Sequence, residues 1–339
     1  MAAGDFYFAI NATFRFLLNT YGEQALVDYW RTLGEEYYAP LSARFRDGGL
    51  EAVERYWRDF FAQEPGVDVA VTRDAAAVDI DVRDCPAIRW LRLHHREIVP
   101  NYCQHCHHVS TAIAERAGIT FTRWRDLPPT LLLARPQTPN SQLRTQNYPM
   151  IGVQDFCGHY DWTFEYIRRT YGEAALAKYW AEAIAFDSQS HASELISEKG
   201  FDGMEEYWGH TLTQEEAGYA LTRTPDVFRI DMHDCPSRGF LIQHGLEAYH
   251  DYCAHCMGWI GPVAQRAGFT IDHEHNHRGQ CWWELRRQGS TPKPSEAREK
   301  AGAANVELRP DWKRGQHHAY GDCTQIPGAA RCDAELLDS

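Results

Sequence analysis

An internal repeat constrains this chain more than any other feature. The segment Asn19–Trp30 (NTYGEQALVDYW) closely matches Arg169–Trp180 (RTYGEAALAKYW). The motif Tyr-Cys-x-His-Cys occurs at Tyr102 and again, 150 positions later, at Tyr252, and an Asp-Cys-Pro motif is repeated at the same spacing. Self-similarity over this much of a chain is typical of a duplicated structural unit. The sequence therefore predicts two homologous domains in tandem.

Each copy shows the same order of hydrophobic patterns. Apolar residues at helical spacing come first, and two short segments that alternate apolar and polar residues follow. In the first copy the predicted helices are Phe6–Tyr21, Glu23–Tyr38 and Leu50–Phe61. A further helix is expected to open near Asn101 or Asp251 with a CxxC pair, before a strand at Ile119 or Phe269. Helices followed by a small antiparallel sheet predict an α+β fold, used twice.

Composition between and after the copies sets the predicted boundaries. The segment Leu127–Pro149 is rich in Pro, Asn, Gln and Thr and has no sustained period, and the chain after Arg287 is polar. We predict a first repeat at 5–126, a linker at 127–154, a second repeat at 155–287 and a largely disordered tail at 288–339.

Charge and cysteine content narrow the function classes. The formal net charge is −13 at pH 7, and an acidic surface repels phosphate backbones, so no nucleic-acid partner is expected. No signal peptide or long apolar run stands out, which predicts a cytoplasmic protein without a membrane partner. Ten cysteines in a reducing compartment would remain thiols, and this favours roles as metal ligands or nucleophiles.

The second copy concentrates soft donor atoms. Cys253 and Cys256 form the CxxC pair, and Cys281 begins an aromatic segment. Three histidines that alternate along an extended segment share one face of it: His273, His275 and His277. Such histidines are rarely packed against an apolar core, so we interpret them together with the three cysteines as metal ligands. Thiolate and imidazole donors suit zinc best, with iron or copper as alternatives.

The donors outnumber the four ligands of a closed tetrahedral site. Four protein ligands would make a structural zinc site, whereas three ligands and a water would make a catalytic one. Spare residues could then act as nucleophile or proton shuttle, and we assign these roles to Cys235, His255 and Glu274. The substrate pocket is assigned to His244, Trp282 and Trp283.

The first copy retains only part of the pattern. A second site is predicted from Cys85, Cys103, Cys106 and His107, although Arg123 and Arg125 stand where the second copy has His273 and His275. This CxxC could be a relic, could hold a second metal or could complete a shared site, and we favour a degenerate partner domain. The run Cys103–His107 also fits the CxxCH motif of c-type haem, which we do not expect here because no export signal is visible.

At these residues the chain resembles a known family. A Cys-Pro pair, an apolar helix, Tyr-Cys, a strand, and then Gly and Cys before an aromatic strand are similar to the L-2-amino-thiazoline-4-carboxylic acid hydrolases. They are more distantly similar to 4-vinyl reductase type domains. The resemblance implies hydrolytic opening of a cyclic amidine by metal-activated water, with Cys235, Cys253, Cys256 and Cys281 at matching positions. This chain differs from the family pattern in three ways. Cys256 stands where an acidic residue is commoner, the spacing from Gly279 to Cys281 is shorter, and the HxHxH strand is additional.

Two functions from different classes follow. The first is a metal-dependent enzyme that cleaves C–N bonds in a small heterocyclic or amidine substrate by hydrolysis, with iron- or copper-dependent redox chemistry as the neighbouring alternative. The second is a non-catalytic module that binds a small molecule and in which zinc only stabilises the fold. No regulatory output domain is visible in the sequence, so we favour the enzyme.

Overall fold

The structure is a computed structural model of the 339-residue chain. It describes residues 3–62, 68–123, 130–134, 153–243, 248–250, 252–275 and 279–289. Helices combined with small antiparallel sheets confirm the predicted α+β class. Within these ranges no helix is both long enough and apolar enough to cross a membrane.

The first repeat opens with helices whose apolar residues face inward. The helical elements are α1 (Ala3–Tyr21), α2 (Glu23–Thr32), a π-helical segment π1 (Leu33–Tyr37) and α3 (Ala39–Ala62). The element α3 contains two helices joined at Gly49, whose φ of 60° and ψ of −155° are not helical. The second of them begins at Leu50, as predicted, and a further helix before it, from Ala39, was not predicted; glycine tolerates the positive φ of the junction.

A four-stranded antiparallel sheet completes the first repeat. Its elements are β1 (Asp68–Arg73), β2 (Ala77–Asp84), α4 (Pro86–Leu93), α5 (Gln104–Ala117), β3 (Thr120–Arg123) and β4 (Thr130–Ala134). The strand order is β1-β2-β4-β3. Val78, Ile80 and Val82 alternate along β2 and are buried, which is the period that the sequence predicted for this hairpin.

Strand β4 corrects the predicted linker at 127–154. Residues 130–134 pair with both β2 and β3, so the sheet of the first repeat extends beyond the predicted boundary at residue 126. The run TLLLA is short and follows two prolines, so its apolar pattern alone does not predict a strand. The remaining linker residues up to 152, and the tail from residue 290, lie outside the described residues.

The second repeat has the same succession of elements, except that two separate helices stand in the place of α3. Its helical part consists of α6 (Val153–Tyr171), α7 (Glu173–Lys178), a π-helical segment π2 (Tyr179–Ser188), α8 (Ser190–Lys199) and α9 (Phe201–Gln214). Then follow β5 (Gly218–Arg223), β6 (Val227–Asp234), α10 (Arg238–Gln243), α11 (Ala254–Arg266), β7 (Phe269–His275) and β8 (Cys281–Arg287). The order β5-β6-β8-β7 is the order of the first sheet.

One side of the second sheet packs on helices to form the core of this repeat. Phe228 and Ile230 of β6 and Leu285 of β8 are fully buried, and they belong to a cluster with Ile260 and Val263 of α11. Each fully buried side chain of this size contributes about 1.5–3 kcal/mol to the free energy of unfolding. The core therefore fixes α11 against the sheet, and the candidate site lies where both elements meet the end of β6.

Contacts divide the chain into two compact units. One comprises residues 13–152, and the other comprises residues 153–339 together with residues 1–12. The division differs from the predicted repeat boundaries because the first twelve residues, which include the start of α1, group with the second repeat. The homology of the two repeats remains a prediction from the sequence.

Candidate metal centre

Four elements of the second repeat bring the predicted ligands together. Cys235 directly follows β6, His273 and His275 lie in β7, and Cys281 is the first residue of β8. Helix α11 begins at Ala254, slightly later than the predicted start near Asp251. Cys253 therefore precedes the helix, and Cys256 lies in its first turn.

A small cavity lies between these elements. Seven of the side chains predicted for the site line it: Cys235, Cys253, His255, Cys256, His273, His275 and Cys281. Arg238, Tyr252, Gly279 and Gln280 complete the wall. The cavity has a volume of about 20 Å³, which is room for roughly one water molecule or one ion.

The thiols influence one another. Burial raises the pKa of Cys256 well above its usual value, and the neighbouring thiols of Cys235 and Cys253 raise it further. Burial likewise raises the pKa of Cys281, with Cys235, Cys256 and Cys253 adding to the effect. None of these four cysteines forms a disulfide. Burial keeps these thiols neutral. A cation bound among them would stabilise the thiolate form of all of them at once.

The turn after β6 directs backbone N–H groups at Cys235. The N–H of Arg238 donates to Cys235 Sγ over 3.4 Å, and the N–H groups of Ser237 and Gly239 also help to lower the pKa of this thiol. Burial outweighs them, so the pKa of Cys235 is raised overall. Gly279, at a φ of 83°, accepts a hydrogen bond from the Cys235 N–H and holds the loop before β8 against this turn.

His255 has a defined orientation in the wall. Its Nδ1–H donates to the Tyr252 carbonyl over 2.5 Å, which places Nε2 3.7 Å from Cys256 Sγ. A backbone carbonyl that holds one ring nitrogen while the other faces the site is the usual arrangement of a metal-bound histidine. Bonds of 2.3 Å to sulfur and 2.0–2.1 Å to nitrogen put two ligand atoms of a tetrahedral zinc about 3.5 Å apart. The Nε2–Sγ separation is close to that spacing.

His273 and His275 are buried on the core side of the sheet, with exposures of 5% and 3%. This is opposite to the expectation that alternating histidines avoid an apolar core. The burial is tolerated because the imidazoles are hydrogen-bonded: His273 Nδ1–H donates to the Trp282 carbonyl over 3.0 Å, and His275 Nδ1–H donates to His273 Nε2 over 2.7 Å. His275 Nε2 is then the unprotonated nitrogen of the neutral ring.

The side chains as they stand do not enclose an ion. Among the residues that the structure describes, no three Cys, His, Asp or Glu side chains meet in an arrangement that could hold a metal. The donors line one wall or another of the cavity, and binding a metal would require the thiols to turn toward a common centre.

The predicted substrate pocket is not formed around this cavity. Trp282 and Trp283 do not line it. Successive strand residues face opposite sides of a sheet, so Trp283 joins the core cluster while Trp282 lies on the other side, under the guanidinium of Arg229 at 4.5 Å. The prediction that both tryptophans share one pocket is therefore wrong. His244, His277 and the side chain of Glu274 lie outside the described residues.

One residue next to the site was not predicted. Cys157 of α6 is buried, and burial raises the pKa of its thiol to about 12. The side chains of Ser237 and Tyr252 lower this pKa and the nearby thiol of Cys235 raises it, but burial outweighs both. A single cysteine within an amphipathic helix carries no spacing signal, and only the tertiary contact of α6 with the turn after β6 identifies it.

The residues of the predicted second site in the first repeat are all described, and no three Cys, His, Asp or Glu side chains in the described part of this repeat form a group that could hold a metal. Burial raises the pKa of Cys85 to about 11, and the nearby thiols of Cys106 and Cys103 contribute to the shift. Cys103 is exposed, and Cys106 is partly buried in the first turn of α5. His107 packs against Phe121, with ring centroids 5.8 Å apart.

Comparison with protein-family models, with curated proteins and with solved structures found no match to this chain. The resemblance to thiazoline hydrolases therefore rests on the sequence motifs alone.

Proposed function

We propose that the second repeat is a metal-dependent enzyme that acts on a small molecule, with hydrolytic cleavage of a C–N bond as its reaction. The observation that carries the proposal is the convergence of seven Cys and His side chains on one cavity of about 20 Å³. That number exceeds the four donors of a closed structural site, so ligands and reacting groups can coexist. Zinc fits this donor set best, and iron or copper would fit it as well.

A bare cysteine nucleophile is less well supported by the same geometry. Burial lowers the pKa of His255 to about 4, and the Cys256 thiol has a raised pKa. At neutral pH both groups are therefore uncharged, so His255 and Cys256 do not form a thiolate–imidazolium pair. An unassisted thiol of this kind is a weak nucleophile. A cation in the cavity would supply the countercharge that this pair lacks.

Each side chain then has a role that its position suggests. Cys253, Cys256 and Cys281 would hold the metal, and His275 would contribute through Nε2. A zinc ion bound there would supply Lewis-acid activation of water at neutral pH. Cys235 lies beside these ligands with three backbone N–H groups near its sulfur, a position suited to holding or moving a proton.

Substrate recognition would fall to Arg238. This residue lines the cavity next to Cys235 and carries a positive charge close to the thiols. A small acid would place its carboxylate on the guanidinium, which binds planar carboxylates through two parallel hydrogen bonds. Because the cavity accepts only about one water-sized group, the substrate would bind at its mouth.

The cavity volume also favours a second candidate. Space for a single ion, and no more, fits a zinc site that only stabilises a small-molecule-binding module. The two candidates differ in what happens when the metal is removed. A structural site predicts loss of the fold, whereas a catalytic site predicts loss of activity from a domain that stays folded.

The test combines metal analysis with activity. Full-length protein purified without an affinity tag is analysed for zinc, iron and copper, and assayed for hydrolysis of 2-aminothiazoline-4-carboxylate and related cyclic amidines. We expect metal-dependent turnover that Cys256→Ser abolishes and that Arg238→Lys weakens mainly through KM. Metal-loaded protein that hydrolyses none of these compounds, and unfolds on chelation, would favour the structural zinc module instead.

A further inference from the structure

We propose that the CxxC pair of the first repeat, Cys103 and Cys106, is a dithiol–disulfide exchange site that passes two electrons to a low-molecular-weight disulfide such as oxidised glutathione. The site lies in the other repeat from the proposed metal centre and does not depend on the reaction there. It gives these two cysteines a different role from the predicted second metal site.

The backbone places the two thiols at the separation that a disulfide needs. Cys103 directly precedes α5 and has helical dihedral angles, with φ at −69° and ψ at −12°. Cys106 follows in the first turn of this helix. Residues three apart along an α-helix have Cα atoms roughly 5 Å apart, and disulfides join Cα atoms about 4.4–6.8 Å apart. The pair can therefore close a disulfide without unwinding the helix.

The two thiols differ in their access to solvent. Cys103 is exposed, whereas Cys106 is partly buried. Because Cys103 precedes the first turn of a 14-residue helix, it lies at the positive end of the helix dipole, which favours the thiolate that attacks a disulfide. Cys103 is thus the thiol that meets a disulfide from solution, and Cys106 is the thiol that resolves the mixed disulfide.

His105 supplies a base for the second thiol. Its Nδ1–H donates to the Tyr102 carbonyl over 2.6 Å, which leaves Nε2 as the unprotonated nitrogen, 3.4 Å from Cys106 Sγ. The ring packs on Phe14 and Tyr102, with centroids 5.3 and 5.0 Å away, so the fold fixes its direction. His105 can therefore accept the proton that Cys106 releases when it attacks.

The exchange runs in two steps that balance. The Cys103 thiolate attacks one sulfur of the small disulfide, whose S–S bond breaks, and the first small thiol leaves with the proton that Cys103 gave up. Cys106 then transfers its proton to His105 and attacks Cys103 Sγ, and the second small thiol leaves with that proton. The cysteine pair is oxidised to a disulfide, and the small disulfide is reduced to two thiols.

The CxxC pair of the second repeat has the same spacing but different surroundings. Cys253 is only partly exposed and lines the cavity that Cys281 and His275 also line. In the first repeat, Arg123 stands at the strand position of His273, because their partner residues in the next strand both pair with the equivalent isoleucines of β2 and β6. The exposed thiol is thus a property of the first pair.

The test follows the oxidation state of both pairs in the full-length wild-type chain. The protein is equilibrated with mixtures of reduced and oxidised glutathione, alkylated, digested with trypsin and analysed by mass spectrometry. The peptide that contains Cys103 and Cys106 should lose two hydrogens, and it should be oxidised at least about tenfold faster than the peptide that contains Cys253 and Cys256, because only the first pair has an exposed thiol. Glutathione adducts that never close to a disulfide, or oxidation of the second pair alone, would overturn the proposal.

Serine variants separate the two steps. Cys106→Ser should stop after the first step, so a mixed disulfide with glutathione should accumulate on Cys103. In Cys103→Ser, the adduct on Cys106 should form at least about tenfold more slowly, because this thiol is partly buried. Equal rates of adduct formation in the two variants would contradict the assigned order of attack.

A matched pair of histidine variants tests the base. His105→Ala should slow closure of the disulfide by about 100-fold, and imidazole added to the buffer should restore part of the rate because it takes the proton in place of the missing ring. His108 follows Cys106 by two positions, on the opposite side of the helix, and stacks on Trp30. His108→Ala should therefore leave the rate of closure unchanged. Equal rates in the two variants, or a defect in His105→Ala that imidazole does not relieve, would refute the role of His105.

Discussion

His273 and His275 are hydrogen-bonded to each other on the core side of β7, with His273 Nε2 2.7 Å from His275 Nδ1. The chain of hydrogen bonds begins at the Trp282 carbonyl, which fixes the proton of His273 on Nδ1. His275 must then donate through its own Nδ1, which leaves Nε2 as its unprotonated nitrogen. In the proposed metal site the two histidines would therefore take different roles: His275 would bind the metal, and His273 would position it.

This difference predicts unequal effects on metal affinity. His275→Ala should remove most of the affinity of the second-repeat site, whereas His273→Ala should lower it about 10- to 100-fold, as loss of an outer-shell partner does. Competition with a chromophoric chelator in the Cys103→Ser/Cys106→Ser background measures both. His273→Gln, which keeps an acceptor for His275, should recover part of the loss, and the exposed His210→Ala is the control. Equal losses in the two alanine variants would contradict the assigned roles.

Because α11 packs closely on π2, we expect substitution of one glycine in α11 to lower the stability of the protein. A Cβ at Gly258 would lie 2.7 Å from Trp180 Cβ and 2.8 Å from its Cε3. Gly258→Ala should therefore lower the free energy of unfolding by about 1–2 kcal/mol, because overpacking outweighs the better helix propensity of alanine. In α9, Gly209→Ala meets nothing within 4 Å and should be neutral or stabilising by up to about 1 kcal/mol. Urea denaturation measures the free energy of unfolding of both variants. Similar values for the two would show that α11 and π2 can move apart to accept the added methyl group.

Charged residues on the other side of the second sheet form a buried network. Arg229 donates to Asp231 over 2.8 Å and to Glu284 over 3.4 Å, and all three residues are at most 7% exposed. Asp231→Ala should cost about 3–5 kcal/mol, since it leaves a buried guanidinium poorly compensated. Glu205→Ala breaks the exposed pair with Arg223 and should cost less than about 1 kcal/mol. Thermal and urea unfolding measure both, and a small loss for Asp231→Ala would mean that water reaches Arg229.

Asp161 predicts a pH dependence of stability. It accepts a hydrogen bond from the Tyr249 N–H over 2.6 Å, and burial raises its pKa to about 6, against about 3.9 in an unfolded chain. The folded protein therefore binds the carboxyl proton of Asp161 more tightly than the unfolded chain does. The resulting stabilisation is complete below about pH 4 and is lost as the pH rises through about 6.

Asp161→Asn removes this effect while keeping the acceptor oxygen. Relative to wild type, the variant should gain about 1–2 kcal/mol of stability between pH 4 and pH 7, a figure reduced for the partial exposure of the side chain. Urea denaturation at several pH values measures the difference, with Asp226→Asn in an exposed turn as control. A constant difference across that range would show that Asp161 does not titrate there.

The sequence predicted what depends on local pattern. Alternation in β2 and β6 identified both hairpins, and helical spacing identified the long helices. The cysteine and histidine motifs identified seven residues that line one cavity. These features succeed because each is encoded within a few neighbouring positions.

What the sequence did not predict depends on contacts between distant segments. Strand β4 forms because β2 and β3 offer it free edges, although its own five residues follow two prolines. Cys157 of α6 lies next to the site only because of tertiary packing. Trp282 and Trp283 were placed together because they are adjacent in sequence, whereas the strand register separates them.

The two π-helical segments bear on the history of the molecule. Leu33 in π1 and Ala183 in π2 are 150 positions apart, the spacing of the repeat. Each segment packs on the helix that carries the CxxC pair, but with different partners: a Cβ at Gly34 of π1 would meet Val109 and Ala112 of α5, whereas a Cβ at Gly258 of α11 would meet Trp180 of π2. π-Helical turns are rare and occur mostly as single turns within α-helices. If the two repeats descend from one domain, as the sequence predicts, the π-helical turn would predate the duplication and would have outlasted the replacement of the side chains around it.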